Sequence, residues 1–177
     1  MADPLLLTLI PTGTDVDAFL EGLHIAIRLE EEGILFYTLN ANRMRNPRGR
    51  AAFHLLLRDE RAHAGRLKTQ LDALKQALAG TPDEPRGGVV PVRTLTLNPI
   101  FSRGRTLIDR DADEREVFRL AIAVEWDAFN FFRERSESAT DPWSRVIFGD
   151  LALEEKQHYD TMVDAYETII GRKRYSI

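Results

Sequence analysis

The sequence predicts an all-α fold, a four-helix bundle built from two antiparallel hairpins joined by a long crossover. Three observations carry that expectation. Apolar residues recur at three-, four- and seven-residue steps through four long segments; Asn46-Pro47 and Thr140-Asp141-Pro142 mark two short turns; and residues 80–110 hold four of the eight prolines and four of the eleven glycines, which forbids a continuous helix there.

The elements follow in order. The first helix is expected over about residues 15–45, with Thr14 or Asp15 as N-cap. Asn46 then caps a second helix over 47–79, with Pro47 in the first turn, where its missing N–H costs nothing. So short a turn makes the two helices antiparallel neighbours. A third helix is expected over 111–138, and the same cap-plus-proline device opens a fourth over 142–170, which Gly171 ends before a short basic tail.

Composition narrows the chemistry. The 177 residues can bury one sizeable core but not two ordinary ones, so residues 1–177 are expected to form one domain. With 24 Lys and Arg against 28 Asp and Glu, the chain has no positive field to hold a phosphate backbone, and no nucleic-acid partner is expected. The apolar run Leu5 to Ile10 is too short for a bilayer span, and Asp3 stands where a secretory signal would carry a base. A cytoplasmic protein without a membrane partner is therefore expected. Cysteine is absent, so thiolate nucleophiles, iron–sulfur clusters and Cys-ligated metals are excluded, and any metal would need Glu, Asp or His.

The chain repeats itself at an offset of 95 residues. Ala26-Ile27-Arg28-Leu29-Glu30 falls on Ala121-Ile122-Ala123-Val124-Glu125, and Phe36-Tyr37 falls on Phe131-Phe132. The same offset places Glu60 on Glu155 and His63 on His158, so each half reads Glu and, thirty residues later, Glu-x-x-His. These acids interrupt apolar stripes. Glu30 shares a face with Leu23, Ile27, Ile34, Tyr37, Ala41 and Met44, and Glu60, Glu125 and Glu155 sit likewise among core-type residues. Burying one ionised carboxylate costs several kcal/mol, so four converging ones call for protons or cations. Register agrees: Glu30 lies 16 residues before Asn46 and Glu60 14 after it, and Glu125 and Glu155 lie 15 on either side of Thr140. At about 1.5 Å per residue the partners in each hairpin meet side by side, roughly 20 Å from their turn. If the turns lie at opposite ends of the bundle, both sets meet at its middle, and the crossover must run the bundle length.

Four carboxylates and two imidazoles form an oxygen and nitrogen donor set that suits two first-row ions such as iron or manganese bridged by carboxylates. One Glu from each of two helices with Glu-x-x-His from each of the other two is the constellation of ferritin-like di-iron proteins. Through Glu30 with Phe36-Tyr37, Glu60-Arg61-Ala62-His63, Glu125 and Glu155-Lys156-Gln157-His158, the chain resembles the di-iron four-helix domain of rubrerythrins over about residues 15–170. The resemblance implies Glu30 and Glu125 as terminal ligands, Glu60 and Glu155 as bridging ligands, and His63 and His158 as one imidazole per metal. It implies two iron ions, manganese or zinc being the alternatives, and an oxidoreductase that reduces hydrogen peroxide or activates O₂ with an external electron donor. A ferroxidase or an iron storage or delivery protein is the second reading, and a structural dinuclear metal protein without redox activity the third. Two departures stand out: the Cys₄ site of rubrerythrins proper has no counterpart in these residues, and Ala128 stands where that family has an additional Glu. The ligand set is also similar to that of bacterioferritin, except that Arg61 occupies the haem-binding Met position.

Other residues are read more plainly. Glu21-x-x-His24 has no counterpart at the offset and is expected to be solvated; His54 is a structural or surface residue; Glu31 and Glu32 form a solvated charge run. Tyr37 could donate to a ligand carboxylate, but its mate is Phe132, which favours a core aromatic. Asp59 and Glu154 could orient the histidines four residues after them, a reading ranked below the plain one. Trp126, Phe129, Phe131 and Trp143 are read as core or homodimer contacts.

Overall fold

The computed structural model describes residues 16–79 and 113–169. Four helices fill them: α1 (Val16–Ala41), α2 (Pro47–Ala79), α3 (Glu114–Ser138) and α4 (Pro142–Ile169). The fold is an all-α four-helix bundle, with no strand among the described residues. None of the described helices is long and apolar enough to cross a membrane. The expected cap at Thr14 or Asp15, the crossover and the basic tail lie outside the described residues.

Helices start where a side chain accepts from the unpaired first-turn N–H groups. Asn46 Oδ1 accepts from the Arg48 and Gly49 amides at 2.9 and 3.5 Å, and Asp141 Oδ1 from the Ser144 amide at 2.9 Å. At α3 the Asp113 carboxylate accepts from the Glu116 amide at 2.8 Å while Glu116 accepts from the Asp113 amide at 3.1 Å, a reciprocal capping box. That box sets the start of α3 at Glu114, three residues later than the spacing predicts. The first helix also ends early, at Ala41 instead of 45. Its last turn tightens through bonds from the Arg43 amide to Asn40 O and the Met44 amide to Ala41 O, and the Arg50 guanidinium takes the Met44 carbonyl at 2.8 and 3.1 Å. Met44 stays fully buried although it has left the helix.

Within each hairpin the helices pack along their length, and α2 crosses onto α4. The turns lie at opposite ends. The Asn46 amide donates to Glu114 at the start of α3 (3.0 Å), whereas Gly22 near the start of α1 meets Phe148 near the start of α4. A Cβ at Gly22 would sit 2.4 Å from the Phe148 ring, so glycine there lets α1 and α4 close. The end of α2 and the start of α3 thus lie at opposite ends of the bundle. Aromatic layers bound the middle: Tyr37, Phe53 and Phe118 meet edge to face toward the first turn, with centroids 5.4 and 5.1 Å apart, and Phe132 stacks on Phe148 toward the second.

Candidate metal centre

Between those layers the six acids and histidines of the repeat converge. Glu30, Glu60, His63, Glu125, Glu155 and His158 are each only 1 to 6% exposed, which places four carboxylates and two imidazoles out of reach of bulk water. Their donor atoms form two overlapping four-residue groups in which all members lie within 4.8 Å of one another, and a three-residue group of His63, Glu155 and His158 links them. One comprises Glu30, Glu60, His63 and Glu155, the other Glu60, Glu125, Glu155 and His158. Glu60 and Glu155 belong to both.

Both histidines turn Nδ1 toward the carboxylates. His158 Nδ1 lies 3.3 Å from Glu60 and Glu155 and 3.5 Å from Glu125; His63 Nδ1 lies 3.4 Å from Glu30. The rings stack nearly parallel, 5.2 Å apart. Among the described residues, both Glu30 oxygens, Glu125 Oε2 and the two Nδ1 atoms have no hydrogen-bond partner. Unsatisfied buried polar atoms each cost about 1–3 kcal/mol, more when charged, so five of them aimed into one space fit a cation. Four carboxylates also balance the charge of two divalent ions.

The electrostatics without a cation agree. Burial, then the charges of Glu30 and Glu155, pushes the Glu60 carboxyl well above the usual carboxylate range. Glu155 is likewise raised well above it, by burial first and by Glu125 and Glu30, with His158 opposing. Glu125 goes the other way: burial would raise it, but His158, Glu155 and the Tyr37 hydroxyl together hold it down. His158 is raised, because the carboxylates of Glu125, Glu155 and Glu60 outweigh its burial. Without metal, the shared acids Glu60 and Glu155 therefore hold protons more tightly than ordinary carboxylates do, and cations would compete with those protons.

Backbone space matters at one point. An added Cβ at Gly33, one turn beyond Glu30, would lie 3.1 Å from the Glu60 carboxyl carbon and Oε2. Only glycine leaves the shared carboxylate its full room.

The structure corrects several of the plainer readings. Tyr37 is fully buried, as a core aromatic would be, but its hydroxyl also donates to Glu125 Oε1 across the bundle. Burial and the Glu125 and Glu60 charges raise that phenol well above its usual range, so it stays a donor. The signal was its position one heptad beyond Glu30, on the inward face. Glu32 is buried, not solvated, whereas Glu31 is exposed and pairs with Lys68 at 2.7 Å. Glu154 does not serve the histidine of its own helix; its Oε2 lies 3.6 Å from Nε2 of His63, on α2. Asp59 faces Arg58 instead, at 2.9 Å. Glu21, His24 and His54 are exposed, as expected. Trp126 is 42% exposed, against Phe129 and Tyr159, while Phe129, Phe131 and Trp143 pack partly buried against the core.

No curated protein and no solved structure gives a significant match to the chain. The family model for rubrerythrin matches residues 21–166, which spans all four helices and all six converging side chains. The chain belongs to the rubrerythrin family.

Proposed function

We propose that this protein is a non-haem di-iron oxidoreductase that reduces hydrogen peroxide or activates O₂, with Glu30, Glu60, His63, Glu125, Glu155 and His158 as its metal ligands. The observation that carries the reading is the overlap of the two donor groups at Glu60 and Glu155. A carboxylate has two oxygens, so a residue common to two adjacent groups can bridge. Glu30 with His63 would then complete one metal position, and Glu125 with His158 the other. A bound iron pair would supply two electrons to the oxidant as both ions go from Fe(II) to Fe(III), and an external donor would return them.

The protein's own part is to hold the charge and shape the space. Four carboxylates in a low-dielectric interior offset the added positive charge of oxidation, and the aromatic layers at both ends keep bulk water away. Tyr37 fixes one oxygen of Glu125 and leaves the other free to ligate. Electrons would come from a donor outside these 177 residues, which hold no cysteine for a Cys₄ iron site.

The test is to load the pure protein with Fe(II) and supply hydrogen peroxide with an electron-donating reductase. Turnover well above that of Glu60→Ala is expected. Equal rates would remove the proposal.

A further inference from the structure

Glu154 is the acid that the metal ligands leave over, and its placement differs from that of its repeat mate. It sits on α4 beside Glu155, 29% exposed at its side chain, and spans two groups on α2. Its Oε1 accepts from the Arg66 guanidinium, while its Oε2 faces His63 Nε2 at 3.6 Å, a contact distance and not yet a formed hydrogen bond. If His63 ligates through its inward Nδ1, its proton must sit on Nε2, the atom that faces Glu154. The repeat does not reproduce this arrangement. The mate of Glu154 is Asp59, one methylene shorter and turned to Arg58, and the mate of Arg66 is Thr161, which carries no charge. His158 is instead surrounded by three carboxylates on its Nδ1 side.

We propose that Glu154, held by Arg66, is a positioning residue for His63: it accepts a hydrogen bond from Nε2–H, keeps Nδ1 aimed inward, and so sets the affinity of the metal position built on Glu30 and His63. The inference rests on the di-metal reading above. A purely structural role explains the geometry less well. Ion pairs this exposed contribute little to stability. An acceptor on the outer nitrogen of a metal-bound histidine, by contrast, typically changes metal affinity about ten- to a hundred-fold.

Anaerobic calorimetric titration of the full, metal-stripped chain with Fe(II) tests it. Wild type should take up two equivalents. Glu154→Ala should keep one at wild-type affinity and bind the other about ten- to a hundred-fold more weakly. Glu154→Gln, which retains an acceptor oxygen, should recover most of the loss, Arg66→Ala should show a smaller weakening, and Asp59→Ala should change neither equivalent. Unchanged metal titration in Glu154→Ala, or equal weakening of both equivalents, would overturn the inference while leaving two metals in wild type. No uptake by wild type would overturn the di-metal reading, and this inference with it.

Discussion

The two halves of the molecule carry the same six candidate ligands, three each, in different surroundings. In the second hairpin Glu125 is held by the Tyr37 hydroxyl, and its His158 faces three carboxylates. In the first, Glu30 occupies the equivalent position with neither oxygen hydrogen-bonded among the described residues, because the mate of Tyr37 is Phe132, which has no hydroxyl. Gly33 leaves room for Glu60 where its mate is Ala128. The repeat therefore fixes where the donors stand, while the contacts between helices decide how firmly each is held. Two metal positions related by the repeat should behave unequally.

The largest expected effect separates shared from unshared acids. Glu155→Ala should abolish uptake of both metals, whereas Glu30→Ala should remove one, as read by metal analysis after desalting. Equal losses would mean that Glu155 is not shared.

Metal removal comes next. Ligand at about 100 times its dissociation constant adds about 2.7 kcal/mol, which corresponds to a melting temperature about 5–10 °C higher for a chain of this size. The metal-free protein should also lose stability with rising pH. Glu60 and Glu155 bind protons more tightly folded than unfolded, so their contribution is complete below the ordinary carboxylate range and is lost as pH rises through their raised values. Melting of stripped protein from pH 5 to 8 checks this, and a rise across that interval would contradict it.

Tyr37→Phe should make Glu125 resemble Glu30. Leaving a buried carboxylate oxygen without its donor costs about 1–3 kcal/mol in denaturant unfolding of the stripped protein. Gly33→Ala should crowd Glu60 by a few tenths of an ångström and weaken metal binding, although alanine is the better helix former by about 1 kcal/mol. Ala128→Gly, its mirror in the repeat, should cost about that much stability and leave the first-half donors undisturbed.

The smallest effect lies outside the site. His24, although exposed, is pushed below its usual range by partial desolvation and by Lys75 and Arg28, so its contribution is present above the unfolded value of 6.5 and fades as pH falls through the folded one. An NMR titration midpoint for His24 at or above 6.5 would contradict this.

Much of this was legible in the residues alone. Asn46-Pro47 and Asp141-Pro142 announce helix starts because the cap and the fixed proline φ act within one turn, and the 95-residue repeat brings out six ligand candidates whose periodicity is a property of each helix by itself. What escaped depends on neighbours across the bundle. That Tyr37 reaches Glu125, that Glu154 turns to the histidine of another helix, and that Glu32 is buried are all set by the packing of one helix on another. The early end of α1 likewise depends on Arg50, six residues beyond Met44, taking its carbonyl.

Anomalous diffraction at the iron edge, from crystals of protein loaded with Fe(II) without oxygen, tests the central claim most directly. Two peaks about 3.5–4 Å apart are expected, both within bonding distance of Glu60 and Glu155, one joined to Glu30 and His63 and the other to Glu125 and His158. A single peak, or none among these six side chains, would contradict it.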